Sequence, residues 1–310
     1  MSTSDWKFLG DSPGIPGLIF RPANLLVEKD QLLEVIEESC MADGIDHVSH
    51  WRSCDSIRVS DSVENQPVER VVAEIKGRIV GYADARSTDV EGSFHMDGHV
   101  LPDWRCCGIG SALLNHIETV CREWTLNSNI RKEAVVETCA RGNMTGRRQL
   151  LQDFGYQIWR YRFEFVHPRL IEMPDLMRPA EFSITSLPIT AVPQDFSAGT
   201  SAEENGVYLR TKNDPGKFDG VICSFSEEEN RHFGRKRGYI RSFSADWQLQ
   251  TQEETRALIR ASLIHLQEAG MEEAVVAADV DVPEGDFNFG QFVGLGFHLE
   301  NRLLMYRKII

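Results

Sequence analysis

The sequence predicts a folded α/β protein made of two related domains in tandem, and three observations carry that expectation. The chain has 310 residues, 42% of them hydrophobic, which suits two domains of about 100 to 200 residues each. Short segments recur at nearly one spacing. Asp103-Trp104 returns as Asp246-Trp247, 143 residues on; Ala134-Val135-Val136 as Ala274-Val275-Val276, 140 on; and Phe154-Gly155-Tyr156 as Leu295-Gly296-Phe297, 141 on. Each copy repeats one element order: a strand into Asp-Trp, a loop, an amphipathic helix, an apolar strand, a second helix, a Gly-aromatic turn and a last strand.

In the first copy, Gly17 to Arg21 reads as an opening strand and Glu28 to Met41 as a helix. Val71 to Lys76 and Ile79 to Ala85 form a hairpin around Gly77-Arg78, and the alternation of Phe94, Met96 and Val100 gives a third strand. Leu113, Leu114, Ile117, Val120, Cys121 and Trp124 fall at helical spacing. Ala134 to Cys139 is a buried strand, and Met144 to Phe154 a helix closed by Gly155. The stretch from Val166 to Ala180 holds Pro168, Pro174 and Pro179 without a sustained period, as a linker does. The expected division is a first domain over residues 1–167, a linker over 168–180 and a second domain over 181–310.

Composition narrows the function classes. With 33 basic against 47 acidic residues, the net charge of −14 opposes a nucleic-acid backbone. No window approaches the roughly 20 apolar residues of a membrane span, and Asp5, Trp6 and Lys7 stand where a signal peptide would be apolar, so a cytoplasmic protein with no membrane partner is expected. The cysteines are odd in number and form no Cys-x-x-Cys pair, which suggests neither a disulfide framework nor a zinc ribbon. Asp43, Asp46, His47 and His50 resemble a metal cluster, but their spacing lacks that of a zinc-protease helix, so no metal is expected.

The most informative stretch runs from Val100 to Leu114. A strand stops at Pro102, the turn Arg105-Cys106-Cys107-Gly108-Ile109-Gly110 with its two glycines follows, and a helix begins. Glycines let a backbone approach its ligand, and the free N–H groups of a helix start suit a phosphate. A P-loop would need lysine after Gly110, and a dinucleotide-binding turn would need glycine at Leu113.

The Arg-x-x-Gly-x-Gly pattern closely resembles the coenzyme A pyrophosphate loop of the GNAT superfamily of N-acetyltransferases. The likeness extends from Gly17 to Phe165 through the Val-x-Pro strand end, the Ala-Leu-Leu helix, Asn143 at the next helix start and the Phe-Gly-Tyr turn. It implies a mixed, mostly antiparallel sheet flanked by helices in each domain. It also implies acetyl-coenzyme A as acyl donor and a small-molecule amine as acceptor. Backbone groups of Arg105, Cys106, Cys107, Gly108, Ile109, Gly110 and Ser111 would hold the pyrophosphate. The strand at His99, Val100 and Leu101 would pair with pantetheine, and Asn143 would touch the coenzyme. Two such domains in tandem resemble the architecture of mycothiol synthase and its relatives. In the second copy Gln248, Thr251 and Glu253 stand at the positions of Arg105, Gly108 and Gly110, which suggests a domain that does not bind phosphate.

An amine attacks a thioester only when neutral, and freeing a lysine-like amine at pH 7 costs about 4.6 kcal/mol. A general base is therefore expected. His95, Asp97 and His99 alternate onto one strand face, and Asp97, then His95, are the candidate bases. A backbone N–H at Val100 or Leu101 would polarise the thioester carbonyl. The tyrosine with which many family members protonate the departing thiolate is replaced by Leu151, leaving Tyr156, Cys139 or water. Arg147 and Arg148 could meet the coenzyme's outer phosphate or form a solvated helix face. The alternative to an enzyme is a non-catalytic acyl-coenzyme A binding or sensing protein.

Overall fold

A computed structural model describes residues 13–45, 68–88, 90–127, 133–170, 182–188, 205–211, 220–227, 230–231, 234–241, 252–282 and 290–310. The chain divides into two units: Met1–Tyr161 together with Leu303–Ile310, and Arg162–Arg302.

The first unit opens with strand β1 (Leu18–Pro22) and helix α1 (Leu25–Ala42). Asn24 caps that helix by accepting from the Leu26 N–H, and Glu28 reaches back to the Asn24 N–H. The helix therefore begins before the expected Glu28. It buries Leu32, Val35, Ile36 and Cys40, at the i, i+3, i+4 spacing of a core-facing stripe. Strands β2 (Val68–Ile75) and β3 (Arg78–Ser87) are joined by Lys76 and Gly77, both at positive φ, the two-residue turn that matches strand twist. Strand β4 (Ser93–Val100) follows, and β1 to β4 pair antiparallel in order.

After a 3₁₀ turn at Pro102–Trp104 comes helix α2 (Ile109–Asn127), which buries Ile109, Leu113, Ile117 and Cys121. Strand β5 (Val135–Arg141) pairs parallel with β4 over three positions, Ser93↔Val135 to His95↔Glu137, where the register ends. Helix α3 (Thr145–Asp153) closes on Gly155 at φ +82°, and strand β6 starts at Gln157. The other neighbour of β5 is the end of the chain's last strand, antiparallel from Leu303↔Arg141 to Ile309↔Val135. Leu304 and Tyr306 are thereby buried in the core of the first unit.

The second unit repeats the plan. Strand β6 ends at His167, and Leu170 is fully buried in this unit's core. Strands β7 (Phe182–Pro188), β8 (Asn205–Thr211), β9 (Gly220–Ser224) and β10 (Arg237–Arg241) pair antiparallel in order. Helix α4 (Gln252–Glu268) leads to β11 (Glu273–Asp281), which runs parallel to β10. A short helix α5 (Gly290–Val293) precedes Gly296 at φ +89°, the counterpart of Gly155, and β12 (His298–Ile309) completes the chain. Arg237, 3% exposed, is satisfied by Glu273 and Glu300. Residues 242–251, with Asp246-Trp247, Gln248 and Thr251, lie outside the described residues, as does the Glu253 side chain.

No helix among the described residues is long and apolar enough to cross a membrane.

Candidate functional site

Past His95 strands β4 and β5 part, and a cavity of about 400 Å³ occupies the first unit there. One side is apolar, with Met96, Leu113, Leu114 and Ile117; the other is polar, with Ser39, Asp43, Tyr82, Asp97 and His99. Strand alternation explains the contrast. In the β3–β4 register Tyr82 faces His99 and Asp84 faces Asp97, so these four share one face, while Ala83, Gly98 and Met96 share the other.

The Arg105 to Ser111 turn forms the end of this cavity. Cys106 takes φ +59° and Gly108 φ +87°, left-handed conformations that pull the chain tight before the helix. The first helical bond runs from the Ala112 N–H to the Gly108 carbonyl, so the N–H groups of Ile109, Gly110 and Ser111 belong to the unpaired first turn. A Cβ on Gly108 would lie 3.3 Å from Pro13 Cβ, and one on Gly110 3.3 Å from Leu150 Cδ2. Gly108 is held to glycine by its left-handed backbone, and at Gly110 a side chain would press on Leu150. Cys106 and Cys107 are exposed, and only Cys106 lines the cavity.

The Arg105 side chain does not reach into the cradle. Its Nε donates to Val100 O at 3.1 Å, and its guanidinium donates to both Asp43 oxygens and to Ser39 O and Oγ, fastening the loop to the end of α1. Asn143 likewise donates its amide to Asp43 O. Asp46, His47 and His50 lie outside the described residues.

On the edge of β4 that faces the gap, Gly98 and Val100 present their peptide groups. Gly98 N–H donates to Asp97 Oδ1 at 2.8 Å, and Gly98 O accepts from Arg147 Nη1 at 3.0 Å. Leu101 N–H donates to Val80 O at 2.9 Å and is not available to a ligand. The Val100 N–H is the donor that strand alternation turns into the gap.

Asp97 lies in the cavity wall, with its Oδ1 2.7 Å from Arg147 Nη1 and its Oδ2 3.4 Å from His99 Nε2. Burial opposes its charge, but Arg147 and His99 outweigh it and hold the carboxyl well below the usual range. His99 is 5% exposed; its Nδ1 is buried without a hydrogen-bond partner among the described residues, and its Nε2 has only the long approach to Asp97. Such a group has a polar deficit that a ligand can relieve. His95 stands at the last β4–β5 pairing position, opposite Glu137, away from the cavity wall.

Arg147 has no solvated role. Its Nη2 donates to Thr138 Oγ1 at 2.8 Å, so one side chain from α3 ties β4 to β5 across their gap. Arg148 donates to Gly142 O. Leu151 also lines the cavity, whereas Tyr156 is buried with its hydroxyl towards Met96 Sδ at 3.8 Å and Cys139 is half-buried on β5 opposite Met305.

Residues 32–144 match the Acetyltransferase (GNAT) family. No curated protein matches the sequence. Among solved structures, the chain is similar to a GCN5-related N-acetyltransferase from Sphaerobacter thermophilus, at 15% identity and a TM-score of 0.72, over 95% of this chain and 96% of that one. It is also similar to a tandem GNAT protein from the clavulanic acid biosynthesis pathway, at 15% identity and 0.67, over 94% and 98%. A glucosamine N-acetyltransferase region of a fungal multi-domain β-N-acetylglucosaminidase matches at 10% identity and 0.66, over 96% of this chain and 39% of that one. The fold is a tandem GNAT fold.

Proposed function

We propose that this chain, a tandem GNAT fold whose residues 32–144 match that family, transfers a short acyl group from coenzyme A to the amine of a small molecule, with the reaction in the first unit. One observation carries the reading: a single cavity joins a bare, glycine-lined helix start to a buried, unsatisfied histidine at the parting of β4 and β5.

The residues fit coenzyme A. The N–H groups of Ile109, Gly110 and Ser111, with the positive end of the α2 dipole, would hold its pyrophosphate. The apolar wall of Met96, Leu113 and Leu114 suits the pantetheine arm. Arg105 and Asn143 would hold the wall rather than the ligand, since both are committed to the end of α1. The coenzyme supplies an activated acyl thioester.

The chain's own groups then have distinct tasks. Asp97, held ionised by Arg147, is a weak proton acceptor itself, and its Oδ2 lies 3.4 Å from His99 Nε2. We assign proton uptake from the acceptor amine to His99, with Asp97 as its partner. The Val100 N–H donates to the acyl oxygen as negative charge develops there. Tyr82, whose hydroxyl donates to Asp84, completes the polar floor.

Calorimetry with acetyl-coenzyme A and thiol release over a panel of small amines test the reading together. Binding with turnover supports it. Binding without turnover on any amine would make the protein an acyl-coenzyme A sensor, and no binding at all would sink the site.

A further inference from the structure

Arg147 and Leu151 are four residues apart in α3, on one helix face, and both line the cavity. Leu151 stands where the thiolate-protonating tyrosine is expected from the family likeness and has no proton to give. One turn earlier, that same face carries a cation instead. The Arg147 guanidinium reaches the gap between β4 and β5, touching Gly98 O on one strand and Thr138 Oγ1 on the other.

We propose that Arg147 stabilises the departing sulfur as a thiolate, replacing protonation by a tyrosine with charge pairing; this rests on the acyl-transfer reading above. The nitrogen-to-carbonyl bond forms as the carbon-to-sulfur bond breaks, and the electron pair of the broken bond goes to sulfur. His99 takes the amine proton. Arg147 balances the sulfur's charge until the thiolate takes a proton from water on release. The geometry suits this division, because Arg147 donates from two nitrogens and keeps its full charge whatever it touches. A part-buried guanidinium also acts through a lower dielectric than water offers.

The other charged groups on the cavity set the sign of the test. Asp97 lies against Arg147, His99 lies beyond Asp97, Asp43 is paired with Arg105, and Asp153 stands at the end of α3. Asp97 therefore offsets part of the field that Arg147 exerts on a sulfur in the gap.

The test needs no turnover. Free coenzyme A is bound to the protein, and its thiol is titrated by ultraviolet thiolate absorbance. With wild-type protein the bound thiol should titrate at least about one pKa unit below a free thiol's value of about 8.5. Arg147→Gln, which leaves the Asp97 carboxylate uncompensated, should raise it to the free value or above, and Arg147→Lys should keep part of the shift. Asp97→Asn, which leaves the guanidinium uncompensated, should lower it further. Because removing one member of a part-buried pair can unfold a protein, Arg147→Gln/Asp97→Asn is a neutral second variant, and it should titrate as free thiol. In turnover, Arg147→Gln should lose about tenfold or more, and adding Leu151→Tyr should restore part of the loss. Equal titration of bound thiol in wild type and in the neutral variant would overturn the proposal while leaving coenzyme binding intact. Failure of wild type to bind coenzyme A would overturn the functional reading, and this proposal with it.

Discussion

Arg147 Nη1 and Asp97 Oδ1 meet at 2.7 Å just beyond the last paired position of β4 and β5, so an ion pair stands where a strand ladder would otherwise continue. Folding lowers the Asp97 pKa, chiefly because the neighbouring guanidinium outweighs the penalty of burial. The contribution of such a group is complete above the ordinary carboxylate pKa of about 3.9 and is lost as pH falls through its lower folded value. Asp97→Asn should therefore be less stable than wild type near neutral pH, with the gap shrinking on acidification below about pH 4. Denaturant unfolding of both proteins at several pH values checks this, and a constant gap would argue against an ionised pair. The same variant should lower turnover while leaving coenzyme affinity within about threefold, a change worth well under 1 kcal/mol.

The bare helix start makes a separable prediction. Gly108→Glu and Gly110→Glu should abolish acetyl-coenzyme A binding, but they also strain a left-handed turn or crowd Pro13 and Leu150. Ser111→Asp avoids that ambiguity. A carboxylate in the first turn favours the helix by up to about 1 kcal/mol and repels a phosphate in the same place. Melting temperature should hold or rise while affinity falls at least about tenfold, about 1.4 kcal/mol. Calorimetry that finds unchanged affinity would remove the pyrophosphate from this turn.

Thiol chemistry reports on the same loop. Cys106 and Cys107 are exposed, whereas Cys40, Cys121 and Cys223 are buried. Burial pushes the Cys121 and Cys223 thiols up to about 12, with Glu118 adding to the effect at Cys121. A maleimide should label the loop pair first, and saturating coenzyme A should slow labelling of Cys106, the member that lines the cavity. Peptide mass spectrometry with and without the coenzyme reads the protection directly.

Tyr306 sits at 0% exposure in the first unit's core, and its hydroxyl has no partner among the described residues. Tyr306→Phe should be neutral or stabilising, because it deletes an unsatisfied polar atom. Tyr306→Ala should cost about 3–5 kcal/mol, as for other large buried aromatics. Thermal or denaturant unfolding of the two variants distinguishes packing from hydrogen bonding at this position.

Local pattern made the loop and most of the first unit's elements legible. The β2–β3 hairpin, the stripe on α2 and Gly155 each announce themselves within a few residues, although the hairpin turns at Lys76-Gly77, one residue before the expected Gly77-Arg78. Helix α1 begins at Leu25, earlier than expected, because Asn24 with Glu28 was a cap signal that the apolar spacing alone did not weigh. Arg147 is harder to place from sequence. Paired arginines on a nine-residue helix resemble a wetted face, and its partners Asp97 and Thr138 sit on two different strands. The usable hint was its spacing to Leu151, since position i+4 on that helix was already marked as facing the site. The family likeness gives His99 only a backbone role towards pantetheine; the burial of its ring is a property of three-dimensional packing that no spacing encodes.

Because residues 303–310 supply the strand beside β5, one of the protein's two units is not a continuous stretch of chain. During synthesis, Val135 to Arg141 must wait with an open edge until residues 303–309 have left the ribosome. A gene cut after the first copy would encode the glycine turn intact on a sheet that lacks a wall. That edge is closed along its length, from Leu303 against Arg141 to the Ile310 N–H donating to Ala134 O.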